Sequence, residues 1–154
     1  GRKRIGLVNG DMRYLYSHHR EKGYRQALEE LEYPWSGVAY TDEISPEAGS
    51  QAVKELLALP EPPDAVFAVS DVLAVGVVHA ALEAGLRVPE DLAVVGFDGI
   101  PFTRSLNPPL TTIEQPMNQL GARSVQLLLQ KIRNPNASVV REVLPWTRVE
   151  RASS

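Results

Sequence analysis

The stretch Ala65-Val66-Phe67-Ala68-Val69-Ser70-Asp71 decides the architecture. Five apolar residues run without a polar interruption. A strand with one wet face alternates, whereas an unbroken apolar run is how a strand covered on both faces reads, as in a parallel sheet. Ser70 then supplies an N-cap oxygen and Asp71 a first-turn acid. The helix they open carries an apolar stripe of Ala74, Val77, Val78, Ala81 and Leu82, and Gly85 is its expected stop. The pattern repeats at Leu92-Ala93-Val94-Val95-Gly96-Phe97, a second buried strand ending at Asp98-Gly99.

Upstream, the β-branched run Ile5-Gly6-Leu7-Val8 ends at the turn dipeptide Asn9-Gly10. Tyr24, Ala27, Leu28 and Leu31 then recur at helical spacing, with Pro34 beyond them as a breaker. Val38-Ala39-Tyr40 is a weaker strand. Ser45-Pro46-Glu47 combines an N-cap, a first-turn proline and an acid suited to the helix dipole. The helix so begun turns Ala52, Val53, Leu56 and Leu57 to one side and stops before Pro60. Strand and helix alternate through Asp98, which predicts right-handed crossovers and an α/β fold with an open, parallel, Rossmann-like sheet flanked by helices.

Beyond Asp98 the character changes. Residues 99 to 116, with Pro101, Pro108, Pro109 and Pro116, read as a long connection. An apolar helix follows (Val125, Leu128, Leu129, Ile132), then an Asn134-Pro135-Asn136 turn and an extended stretch from about Val139 to Val149. No repeat or low-complexity tract interrupts the chain.

Composition narrows the function. The 154 residues hold no Cys and a formal net charge of -3, which excludes disulfides and thiolate chemistry and gives no electrostatic footprint for nucleic acid or an acidic membrane surface. No apolar run approaches the roughly 18 residues of a membrane span, and no signal peptide opens the chain. It begins Gly1-Arg2-Lys3-Arg4 without Met, as a fragment or processed product would.

Open α/β sheets bind ligands outside the carboxyl ends of their strands. Those ends are Asn9-Gly10, Thr41-Asp42, Ser70-Asp71 and Phe97-Asp98. Capping accounts for Ser70-Asp71 on its own. Asp98 is different: it follows a buried strand, precedes Gly99 rather than a helix start, and offers a carboxylate that can accept from two vicinal hydroxyls. Arg20 sits early in the first helix, where a solvated face is the ordinary fate of a charge. The first loop, Asn9 to Tyr16, is aromatic, and Tyr14 and Tyr16 there are as suited to stacking on a sugar or base as to packing a lid. His18-His19 are adjacent, so on a helix they diverge, which argues against a metal site. A Ser17-His79-Asp98 triad has no nucleophile elbow to support it. Neither a Walker loop nor a Gly-x-Gly-x-x-Gly follows the first strand. The residues point to a binding module rather than an enzyme, with no cofactor. A flavodoxin-like enzyme or phosphoacceptor using Asp98 lacks the clustered acids near the first strand that Mg²⁺ would need.

Three long motifs occur in order: Asp64-Ala65-Val66-Phe67-Ala68-Val69-Ser70-Asp71-Val72-Leu73-Ala74-Val75-Gly76, then Gly85-Leu86-Arg87-Val88-Pro89-Glu90-Asp91-Leu92-Ala93-Val94-Val95-Gly96-Phe97-Asp98, then Pro108-Pro109-Leu110-Thr111-Thr112-Ile113-Glu114-Gln115-Pro116. With Arg4-Ile5-Gly6-Leu7-Val8 and Arg20-x-x-Gly23-Tyr24, the chain resembles the lac-repressor and galactose-repressor family along its whole length. The resemblance implies a cytoplasmic, homodimeric, two-lobed periplasmic-binding-protein-like sensor for a sugar-like effector. It would reach operator DNA only through a helix-turn-helix headpiece outside these residues. It gives Arg20 and Asp98 as the main effector-holding charges, Tyr14 and Tyr16 as first-loop contacts, Ile44 as a wall after the second strand, and Phe97 and Gln115 as further lining. Ser70 stands where many members carry Asn, Phe97 where Tyr is frequent, and Gly99 where Asp is frequent. The Val-Pro-Glu-Asp and Pro-Pro-Leu-Thr-Thr-Ile segments favour the repressor over a transporter's periplasmic sugar-binding protein. By the same resemblance residues 1–112 form the C-terminal lobe, 113–136 a crossover and a helix of the other lobe, and 137–154 a returning strand and tail. The helix from about Met117 to Arg133 is then expected to pack on a neighbour, exchange between protomers or be poorly ordered. Effector affinity of the chain alone is expected to be weak.

Overall fold

The computed structural model describes residues 1–154, the side chain of Ser36 excepted. Strands β1 (Ile5–Asn9), β2 (Ser36–Tyr40), β3 (Ala65–Ala68), β4 (Ala93–Asp98), β5 (Thr111–Glu114) and β6 (Thr147–Val149) form one sheet in the order β2-β1-β3-β4-β5-β6. The first five are parallel and β6 runs antiparallel to β5. Helices α1 (Leu15–Glu30), α2 (Pro46–Leu57) and α3 (Asp71–Glu83) alternate with β1 to β4. The β1-to-β2 step moves one way across the sheet and the later steps the other way. Right-handed crossovers therefore put α1 on one face and α2 with α3 on the opposite face. The strand order reverses beside β1, which is where such sheets open a ligand crevice.

The expected caps form. Ser45 Oγ accepts from Ala48 N at 3.1 Å and Ser70 Oγ from Val72 N at 3.2 Å. Gly85, at φ +78, closes α3: Gly85 N donates to Leu82 O and Leu86 N to Ala81 O. The core gathers Leu7, Val8, Val53, Leu56, Val66, Val69, Leu73, Val77, Leu92 and Val94, all nearly or fully buried. Of the predicted α3 stripe only Leu82 faces out, at 46% exposure. Helices α2 and α3 meet backbone to backbone. A Cβ on Gly76 would stand 1.8 Å from Pro46 O, and one on Gly49 would stand 2.2 Å from Leu73 O.

Three expectations are corrected. The connection 99–116 is not structureless: it holds a 3₁₀ turn (Pro101–Ser105) and β5, a strand too short and polar to declare itself. The proposed boundary at 112–113 thus falls inside a strand. Tyr16 lies in the first turn of α1 rather than in the loop, with Tyr14 as the N-cap residue. The extended stretch from Val139 narrows to β6, because only Thr147–Val149 reaches the free edge of β5. After β6 the tail returns inward: Ser153 is fully buried, its Oγ donating to Val94 O at 2.6 Å and accepting from Thr111 N at 2.8 Å.

Helix α4 (Met117–Arg133) forms at the expected place as a continuous helix. None of its residues is buried, and Val125, Leu128, Leu129 and Ile132 are all exposed. Arg123 Nε donates to Glu142 at 2.6 Å, tying the following segment along it. Among the described residues no helix is long and apolar enough to cross a membrane.

Candidate functional site

The carboxyl ends of β1, β3 and β4 bring Arg20 and Asp98 together across 78 residues of sequence. Arg20 Nη2 lies 3.3 Å from Asp98 Oδ1, and Arg20 Nη1 donates to Val69 O at the end of β3. The guanidinium carbon lies 3.9 Å from the Phe97 ring centroid and 5.2 Å from that of Tyr16. Tyr16 in turn stacks on Tyr14, with centroids 5.7 Å apart and planes within 13°. The result is a ladder of ring, ring, cation, ring that holds Arg20 in one orientation. Its charge is spent on a carboxylate and a carbonyl already in place.

Asp98 ends β4 with φ 128, a conformation L residues rarely adopt. Its Oδ1 also accepts from Gln115 Nε2 at 2.8 Å. Burial pushes this carboxyl above its ordinary range, against the opposing pull of Arg20 and Gln115. Gly99 follows at φ +78, and a Cβ there would meet Glu114 at 2.6 Å, so the turn suits Gly and leaves no room for a side chain.

Two open hollows flank the pair. One, about 630 Å³, lies between α1 and the sheet and is lined by Tyr16, Arg20, Tyr24, Phe67, Phe97 and Gln115 among others. The other, about 780 Å³, is lined by Asp98, Gly99, Ile100, Glu114, Gln115 and Met117 among others. Gln115 borders both.

The other expected residues sort cleanly. Tyr14 is half exposed beside Tyr16. Ile44 and Tyr16 close over Gly10: a Cβ there would meet Ile44 Cδ1 at 3.1 Å and the Tyr16 hydroxyl at 3.2 Å. Ser70 is buried; its Oγ caps α3, and its hydroxyl also helps hold the Asp98 carboxylate. Ser17, His79 and Asp98 do not meet. His79 pairs with Glu83 one turn along α3, and the buried Ser17 Oγ has no partner.

Two carboxylates escaped the sequence reading as anything but caps or surface. Asp71 is fully buried; its Oδ2 accepts from Gly99 N and Ile100 N at 2.8 Å each, and its Oδ1 from Thr112 Oγ1 at 2.6 Å. It thereby pins the loop that carries Asp98 to α3 and β5. Glu21, one residue after Arg20, is the second. A helix start explains Asp71 locally and a charged run explains Glu21, so only non-local donors reveal either role.

Comparison with known protein families matches residues 1–154 to the periplasmic binding protein-like domain. The chain belongs to this family. Within it, the chain is 39% identical over 156 residues to the HTH-type transcriptional repressor CytR of Escherichia coli (strain K12), covering 100% of this chain and 46% of that protein. It is equally 39% identical over 157 residues to the ribose operon repressor of Haemophilus influenzae, covering 99% of this chain and 46% of that protein. Among solved structures, a LacI family transcriptional regulator from Enterococcus faecium with bound ribose superimposes with a TM-score of 0.89 at 33% identity, covering 100% of this chain and 57% of that one. The similarity to LacI-type regulators read from the three motifs is borne out. The chain spans a little under half the length of the curated relatives it matches.

Proposed function

We propose that this periplasmic-binding-protein-like chain is the effector-sensing portion of a LacI-type transcription regulator, taking an uncharged polyhydroxy compound at the exits of β1, β3 and β4. The observation that carries the reading is the convergence of Arg20, Asp98 and Gln115 beside the Tyr14, Tyr16 and Phe97 rings. A carboxylate and a guanidinium locked in fixed geometry match the donors and acceptors of vicinal hydroxyls, and the rings suit the apolar face of a sugar or a base. Arg20 is already paired with Asp98 and Arg13 with Asp11. The site therefore offers no spare cation to a phosphate or carboxylate, and its net charge favours a neutral ligand. Catalysis has no place in this scheme.

In the whole protein, residues up to the end of β5 would form one lobe and α4 would pack in the other. Lobe closure on the effector would shift a homodimer's grip on operator DNA through a headpiece beyond these residues, in the cytoplasm. The names of the relatives, repressors rather than transport components, favour this reading over a periplasmic transport protein.

The test is a titration of the chain with ribose, followed by amide chemical shifts. Binding in the millimolar range is expected, because one lobe supplies half the contacts; roughly 4 kcal/mol corresponds to such an affinity. Arg20→Gln and Asp98→Ala should each weaken it at least about tenfold, the value of one charged hydrogen bond. Ribose 5-phosphate should bind no better than ribose. Unchanged shifts in Arg20→Gln, or a clear preference for the phosphate, would sink the proposal.

A further inference from the structure

Glu21 is buried at 9% exposure, although it follows the ligand-facing Arg20 on the same helix. One residue turns a helix by about 100°, so Glu21 faces β1 and β2 instead. Donors from three elements converge on its carboxylate. Asn9 Nδ2, at the exit of β1, reaches Oε2 at 3.0 Å. The Tyr40 hydroxyl, at the exit of β2, lies 3.0 and 3.1 Å from the two oxygens. Arg25, one turn along α1, donates Nε at 2.8 Å and brings Nη2 to 2.7 Å. Asn9 is fully buried, and its own Oδ1 accepts from Gly10 N at 2.9 Å. The same side chain therefore holds the first amide of the loop with one end and Glu21 with the other. That loop leads to Tyr14 and, in the first turn of α1, to Tyr16.

We propose that Glu21 is the positioning residue for the β1–α1 side of the site: by tying Asn9, Tyr40 and Arg25 together it sets the rotation of α1 and the course of the loop through Gly10 to Tyr14. The effector-binding consequence rests on the function proposed above; the ordering of the loop does not. Asp71 performs the matching task on the other side, holding Gly99 and Ile100 behind Asp98. A buried carboxylate thus ties the backbone on each side of the Arg20–Asp98 pair.

Hydrogen exchange of the Gly10, Arg13 and Tyr14 amides reads the loop directly, since all three are hydrogen-bonded within it. Glu21→Leu should speed their exchange about tenfold or more by leaving Asn9 Nδ2 only its longer contacts to Ser17 O and Met12 Sδ, both 3.4 Å, while amides of β3 and α3 keep their wild-type rates. Glu21→Gln, which can turn its oxygen to Asn9, should recover most of the protection. Tyr40→Phe removes one donor at a half-exposed ring and keeps the question answerable if Glu21→Leu does not fold; a rise of about twofold is expected there. Ribose affinity should fall by the same factors as loop protection. Wild-type loop exchange in Tyr40→Phe and in a folded Glu21 variant overturns the inference, as does a uniform rise across β3 and α3. Failure of the wild-type chain to bind ribose would count against the proposed function and leave the exchange result decisive.

Discussion

Helices α3 and α4 carry similar numbers of apolar side chains, nine in 13 residues against eight in 17, yet their fates are opposite. α3 buries Asp71, Leu73, Ala74, Gly76, Val77, Val78, Ala80 and Ala81, whereas α4 buries nothing. The difference lies in distribution. α3 is apolar around most of its circumference, so it suits a seat between a sheet and another helix. α4 confines Leu128, Leu129 and Ile132 to one side and carries Arg123, Lys131 and Arg133 elsewhere, a surface helix awaiting one apolar contact. Propensity forms both; only packing makes one of them indispensable.

That contrast can be broken most severely at Gly76. Gly76→Val places a Cβ against Pro46 O, where helix and backbone must separate, and should cost more than about 3 kcal/mol in urea unfolding. Next comes Asp71→Ala, which strands two backbone amides and a threonine hydroxyl. A loss of about 2–4 kcal/mol is expected, with faster exchange at Gly99 and Ile100. At the other end of the scale, Leu128→Gln combined with Leu129→Gln on α4 should change the stability of the isolated chain by no more than about 0.5 kcal/mol. A large loss there would mean that α4 is packed in solution, either on this lobe or on a second copy, and sedimentation would tell which.

Between these sit the carboxylates, whose pH behaviour runs in opposite directions. At Glu21 burial acts to raise the pKa, but Arg25, Tyr40 and Asn9 outweigh it and hold the group below its ordinary range. Its stabilising share is therefore present above that range and lost as pH falls through the folded-state value. Asp98 is raised by burial, so its share is present below the ordinary range and lost as pH rises through the folded-state value. Asp98→Asn should accordingly raise Tm at neutral pH while weakening ribose binding about tenfold. A lower Tm would show that the Arg20 pair stabilises the ligand-free chain more than burial costs it.

Much of the fold was legible in order along the chain. The apolar runs at Ile5, Ala65 and Leu92 had to be strands, Ser45 and Ser70 had to cap, and Gly85 had to stop, because each is a local consequence of side-chain chemistry. Asp98 is marked by its position at a strand end, whereas Arg20, on a helix, is singled out only by the family resemblance. β5 leaves little sign because Thr111–Glu114 alternates weakly inside a proline-rich stretch, and the first loop reads on to Tyr16 because the start of α1 has no side-chain cap to mark it. The α2–α3 contact at Gly49 and Gly76 left no local sign at all.

The sequence by itself determined which segments are strands and helices, their alternation, and hence the edge of the sheet where polar residues emerge. Those depend on interactions within a few residues, which periodicity and turn chemistry record. The tertiary structure alone decided that Arg20 meets Asp98 and Phe97, that Asp71 and Glu21 serve as buried ties, and that α4 stands free. Each of these is set by which strands become neighbours, a choice made by packing across scores of residues that leaves no period to read.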